Sequence, residues 1–337
     1  MPDKVTSLDV AQRAGVSRSA VSRVFTPGAS VSAATKEKVR EAAEVLGYRP
    51  NALARSLLTG RSRMIGLVVG YLDNHFYPVL VERLSQMLEA EGFHILMFLA
   101  EDAEANLDQV VTDLLDYQVD GLVLASVTLG STLGDRCAEM NVPVVELNRS
   151  DGGQACHVVS DNYAGGQMAV AHLLAQGRRR IGHIAGFEGA STQRAREAGA
   201  LAALRGAGLA FVAREVGNFD AAAARDAARQ MFQSTAKSLD NRPDAVFVAN
   251  DFMAFHVLDV LRYECGLSVP QDVAVIGFDD VPTSSFAAFD LTTVRQDLEG
   301  MVAYTVDVLM GRQTKSRVLA PQLIVRKTCG AGSSAAG

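Results

Sequence analysis

The feature that most restricts the fold is an alternation that begins at Met64. Short, continuous apolar runs (MIGLVVGYL, HILMFLA, DGLVLAS, PVVELN, HVVSD, RIGHIAGF, AVFVAND, VAVIGFDD and APQLIVRK) are separated by amphipathic stretches such as PVLVERLSQMLEAEG, NLDQVVTDLLDYQ, GGQMAVAHLLAQG and FMAFHVLDVLRYECG. Apolar runs of strand length without polar alternation are buried on both faces, which requires helices on each side of a parallel sheet. The stretch is too long for one comfortable doubly wound sheet, and the pattern restarts near Arg180. Residues 64–328 therefore read as two similar lobes. A closed barrel of eight strand–helix repeats is the competing arrangement. The small-residue tail, 329–337, reads as disordered.

The 337 residues carry a formal charge of −6, spread unevenly. Residues 1–63 hold 11 Lys and Arg against 5 Asp and Glu, a net +6, so the rest of the chain holds −12. A basic head on an acidic body predicts that the head alone meets a polyanion, although basic segments are also common as plain solvated surface. The four cysteines (Cys137, Cys156, Cys265, Cys329) form neither a disulfide framework nor a metal clip. No apolar run is long enough to span a bilayer, and MPDKVTSLDV has no secretory core, so a reduced cytoplasm is expected.

Residues 1–48 read as three short helices, followed by a linker over 49–63. Thr6 opens a capping-box pattern, TSLD, ahead of Leu8, Val10, Ala11 and Ala14 at helical spacing. Gly15 supplies the turn, Ser17 the next cap, and Ser32 the cap of a third helix with Val39, Ala42, Ala43 and Leu46 on one face. A small residue (Ala11), a glycine four later (Gly15) and an apolar residue six later again (Val21) is helix-turn-helix spacing. The exposed face of the second helix then presents Arg18, Ser19, Ser22 and Arg23, with Ser17 at its start. Arginine forks suit guanine edges, and hydroxyls suit bases or phosphates. A simple three-helix bundle with a solvated charged face fits the same spacing.

VTSLDVAQRAGVSRSAVSRVF and VSAATKEKVREAAEVLGYRPNALARSLLTGRSRMIGLVV closely resemble the start of LacI/GalR-type transcriptional regulators, and a looser likeness runs to about residue 328. The resemblance implies a small all-α helix-turn-helix domain joined to an α/β body of two parallel-sheet lobes like those of periplasmic binding proteins, the first over 64–162 with 293–328 returning to it after FDDVPTSSFAAFDLTTVRQD, the second over 163–292. It implies that Arg18, Ser19 and Arg23 read major-groove bases of double-stranded operator DNA. It also implies that NALARSLL, which Asn51 can cap, is a hinge helix that folds on the operator, with Leu57 wedged into the minor groove. On length alone such a helix is marginal in water.

Open α/β sheets bind ligands at the carboxyl edge of their strands. Those edges here carry Asp73 to Tyr77, Asn148-Arg149, Ser160 to Asn162, Phe219, Asn250-Asp251 and Asp279-Asp280, a mixture that suits a polyhydroxylated ligand. Taken singly, each is an ordinary turn or cap residue. The resemblance implies effector contacts from Asp279, Gln296, Arg196, Thr192, Arg194, Phe76, Tyr77, Phe219 and Asn250. Asp161 is a further candidate, though VSDN equally suits a helix cap. Ala190 falls where purine-sensing members carry arginine, which argues against a purine. The expected effector is a sugar or sugar acid, small and polar.

Enzyme readings find little support. There is no GxxxxGK[ST], IAGFEGA does not supply GxGxxG, and the six histidines lack metal spacing. Asp279 and Asp280, adjacent on a strand, point to opposite faces. No metal or cofactor is expected. A free-standing solute-binding protein would suit the body but would need export and leaves the basic head without a role. Without leucine heptads in the tail, a homodimer is expected.

Overall fold

The computed structural model describes residues 5–26, 28–49, 61–99, 103–126, 131–150, 152–153, 155–233 and 242–330. Asn51 and Leu57, with the rest of the expected hinge helix, lie outside these residues, as does 331–337 of the tail. The chain divides into two compact units, 1–63 and 64–337.

In the first unit, α1 (Ser7–Ala14), α2 (Arg18–Val24) and α3 (Ala33–Leu46) follow the local signals closely. Thr6 and Asp9 close the reciprocal capping box, and Gly15 ends α1 at φ 65°, a left-handed turn that a side chain would resist. The Ser17 and Ser32 hydroxyls accept from the amides of Ala20 and Thr35. Val10, Ala11, Val21, Val39, Ala42 and Ala43 form the core. The alanines keep the three short helices close enough to bury it.

In the second unit, β1 (Met64–Val69), α4 (Phe76–Ala90), β2 (His94–Leu99), α5 (Ala103–Asp116), β3 (Gly121–Ala125), α6 (Ser131–Glu139), β4 (Val144–Leu147) and β5 (Cys156–Ser160) build one lobe. The second lobe contains α7 (Asn162–Ala175), β6 (Ile181–Ala185), α8 (Ser191–Gly206), β7 (Ala213–Val216), α9 (Ala221–Gln233), β8 (Ala245–Val248), α10 (Asp251–Asp259), β9 (Ala274–Asp279) and β10 (Thr292–Arg295). The chain then returns through α11 (Leu298–Leu309) and β11 (Arg317–Leu319) to the first lobe and ends with β12 (Gln322–Ile324) in the second. The sheet orders are β2-β1-β3-β4-β5-β11 and β7-β6-β8-β9-β10-β12. All pairings are parallel except β10 with β12. The order reverses at β1/β3 in one sheet and at β6/β8 in the other, so each lobe has a switch point at its carboxyl edge.

Two expectations need correction. The sequence reading assigned all of 293–328 to the first lobe, yet Val294 pairs with Phe278 and Thr293 with Ile324, which puts β10 and β12 in the second sheet. Chain crossings therefore fall at 160–162, 295–298 and 319–322. β10 was hard to read because Thr292 and Thr293 are fully buried, and their hydroxyls are satisfied by the Arg326 carbonyl and Asp251. The expected disorder from 329 also begins too early. Thr328 and Cys329 are buried, and Thr328 donates to the Val275 carbonyl at 2.7 Å while accepting from the Thr292 amide.

Helices α7 and α8 approach at backbone contact. A Cβ on Gly166 would overlap the Arg196 carbonyl, and one on Gly199 the Tyr163 carbonyl. Gly199→Ala should therefore destabilise the body by about 2–3 kcal/mol in chemical denaturation, because rigid backbone must move. Gly206→Ala, on the same helix with nothing within 4 Å, should be neutral or stabilising. Equal effects would contradict the close approach.

Candidate functional site

The face of α2 presents Ser17, Arg18, Ser19, Ser22 and Arg23, all exposed. The Ser17 hydroxyl is engaged at the cap and lies 2.9 Å from that of Ser19. Arg18 Nε donates to Ser7 Oγ at 3.0 Å, and Arg23 Nε to the Ser19 carbonyl at 3.4 Å. Neither arginine has an acidic partner among the described residues. Both guanidinium heads thus keep donors for an incoming acceptor.

In the body, the carboxyl edges of both sheets converge on a narrow cavity lined by Tyr71, Asn74, Tyr77, Asn148, Arg149, Thr192, Arg196, Phe219, Asn250 and Asp279. Several lining residues sit where a strand ends in strained backbone. Asn148 follows β4 at φ 71°, Phe219 follows β7 at φ 59°, and Asp279 closes β9 at φ 125°. Non-glycine residues in this region carry a conformational cost, and such positions concentrate at functional sites.

Arg196 is the centre of the arrangement. It is 3% exposed. Its Nε donates to Asn162 Oδ1 at 2.8 Å, Nη1 to the Ala249 carbonyl at 2.7 Å and Nη2 to Asp279 Oδ1 at 3.5 Å, while its head lies 3.6 Å from the Phe278 ring centre. Gln296 Nε2 donates to the same Asp279 oxygen at 2.8 Å, and Asn74 Nδ2 reaches the other at 3.5 Å across the two lobes. Opposite, Tyr77 meets the Ser126 hydroxyl and accepts from Asn148 Nδ2 at 3.0 Å. Behind Asp279, the Asp251 carboxylate accepts from the Val281 amide and from the hydroxyls of Ser284 and Thr293. Around the cavity, Asn148 Oδ1, Arg149 Nε and Gln296 Oε1 are buried and have no hydrogen-bond partner among the described residues. Such atoms are costly unless a ligand or water completes them.

Of the residues expected to bind effector, Tyr77, Thr192, Arg196, Phe219, Asn250 and Asp279 line this cavity. Asn250 also caps α10, accepting from the Met253 amide at 3.0 Å. Gln296 stands one bond behind the wall, on Asp279. Phe76 is not at the wall. It is buried in the first-lobe core, edge-on to Tyr77. Asp161 caps α7, accepting from the Ala164 amide at 2.9 Å, and lines a neighbouring cavity instead. Arg194 is exposed one helical step away from the buried face and donates to the Gly189 carbonyl. Tyr71, Asn74, Asn148 and Arg149 were not selected as site residues. The last three stand in polar strand ends that signal a cleft, whereas Tyr71, inside MIGLVVGYL, carries no such signal.

Burial pushes the Asp279 carboxyl up to about 6, against the pull of Arg196 and its hydrogen bonds, and Asp251 up to about 7 with the Asp279 charge as second cause. Asp279 therefore holds a proton in the folded chain where the unfolded chain, near 3.8, has released it. Its contribution to stability is present at low pH and is lost as pH rises from about 4 to 6. Relative to wild type, Asp279→Asn should gain about 1–3 kcal/mol over that interval and no more above it, read from denaturation midpoints. Parallel curves would contradict the raised carboxyl.

Comparison with known proteins places this geometry in a family. Residues 6–51 match the family described as bacterial regulatory proteins, lacI family, and 170–329 match a periplasmic binding protein-like domain. The ribose operon repressor of Escherichia coli (strain K12) is 34% identical over 314 residues, covering 92% of this chain and 93% of that one. The PurR transcriptional repressor of Photobacterium profundum is 28% identical, covering 96% and 98%. A crystal structure of the lac repressor dimer bound to operator and the anti-inducer ONPF superposes with a TM-score of 0.85 at 30% identity, covering 98% of this chain and 100% of that one. These relatives are repressors and not enzymes, and among the described residues no helix is long and apolar enough to cross a membrane. The chain belongs to the LacI family of bacterial transcriptional regulators.

Proposed function

We propose that the chain is a cytoplasmic repressor that binds a pseudo-palindromic operator as a homodimer, its DNA affinity set by a sugar or sugar acid held between the lobes of the body. The observation that carries the effector reading is the cavity. Amides, a carboxylate and two guanidiniums stand beside the rings of Tyr71, Tyr77 and Phe219, with buried polar atoms still lacking partners. Paired donors and acceptors suit vicinal hydroxyls, and aromatic edges suit the apolar faces of a sugar ring. The ribose operon repressor among the relatives supports the same class. A purine fits less well, because Ala190 leaves no arginine at the start of α8.

On DNA, Arg18, Ser19, Ser22 and Arg23 would face the major groove with Ser17 holding the helix start, while Asn51 and Leu57 would act at the hinge. A two-fold dimer matches a two-fold site. Arg18→Ala and Arg23→Ala should each cost about 1–3 kcal/mol on operator and relax specificity at one base pair per half-site, measured by gel retardation on operator and scrambled DNA. Equal weakening on both DNAs would reduce the arginines to phosphate contacts. In the body, Asp279→Ala should weaken effector binding at least tenfold while retaining operator binding. Calorimetry showing wild-type effector affinity would remove Asp279 from the site.

A further inference from the structure

The cavity wall carries an imbalance of charge. Among the described lining residues two guanidiniums, Arg149 and Arg196, stand against one carboxylate, Asp279. Arg196 has its charge matched by Asp279 and is further held by Asn162, the Ala249 carbonyl and the face of Phe278. Arg149 differs. Among the described residues its buried Nε has no hydrogen-bond partner and no carboxylate pairs with its head. Asp251 is committed to Val281, Ser284 and Thr293, Asp280 to Arg295 and Arg326, and Asp161 to the cap of α7.

A buried arginine N–H without an acceptor is unfavourable, and the planar fork is completed best by an oxyanion held through two hydrogen bonds. Beside it, Asn148 Oδ1 is an acceptor without a donor, the complement of a hydroxyl. We propose that the effector is an anionic carbohydrate, its carboxylate or phosphate docked on Arg149 and its hydroxyls bonded by Asn148, Asn74 and the Arg196–Asp279 pair. This assignment rests on the carbohydrate reading above and narrows it to one charge class. Neutral sugars leave the Arg149 head unmatched, and cationic ligands would meet the surplus positive charge directly.

The test is calorimetric titration of the full-length protein with matched sets. These are glucose, gluconate, glucuronate and glucose 6-phosphate; galactose and galacturonate; and ribose, ribonate and ribose 5-phosphate. The expected result is that one acid or phosphate binds at least tenfold more tightly than its neutral parent, and which of the two it is identifies the oxyanion. Arg149→Gln, checked for an unchanged melting temperature, should reduce that preference below about threefold, and Arg149→Lys should keep part of it. Neutral parents binding as tightly as their acids would overturn the charge assignment and leave the carbohydrate reading standing. A preference that survives Arg149→Gln would overturn the role of Arg149. No binding by any member, neutral or charged, would overturn both readings.

Discussion

A guanidinium as deeply buried as that of Arg196 cannot be left without partners, and its partners come from separate parts of the body. Asn162 begins the helix that follows the first crossing between lobes, Ala249 ends β8, Asp279 ends β9, and Phe278 lies beneath the arginine head. The helix that carries Arg196 is fixed in turn by its glycine contact with α7. One side chain thereby sets the relative positions of two strand ends, a helix start and a lobe crossing. Asp279 extends the connection across the cleft to Asn74 and to Gln296 after β10. Movement of the lobes would alter these bonds first, so a ligand that replaces or completes them changes the energy of closure directly.

The cost of building such a site is visible in the backbone. Asn148, Phe219 and Asp279 adopt left-handed conformations at the ends of otherwise regular parallel strands. Regular strand geometry would aim these side chains above or below the sheet. The strained ones turn them into the crevice, and the close-packed sheets below hold them there.

The sequence made the architecture legible because its strongest signals are local. The Thr6 capping box, the serine caps, the Gly15 turn and unbroken apolar strands need no tertiary context. It was less informative where burial depends on distant partners. β10 contains two threonines whose hydroxyls are satisfied only after folding, by Arg326 and Asp251, so its strand character was hidden. Cys329, at the start of the small-residue tail, is core for the same reason. At the cleft, residue type identified Arg196 and Asp279 but could not separate a wall residue from its neighbours. Phe76 and Tyr77 are adjacent, and only Tyr77 faces the cavity. Asp161 was ambiguous between cap and ligand, and the helix uses it as a cap.

The central claim is that the basic unit and the cleft of the body are energetically coupled. Linkage requires that an effector which changes operator affinity by some factor has its own affinity changed by operator by the same factor. The direct measurement is calorimetric titration of the binding carbohydrate into the free protein and into the operator-bound protein. The account predicts two different effector affinities, with a ratio equal to that of the operator affinities measured with and without effector. Identical effector affinities in the two forms would contradict it.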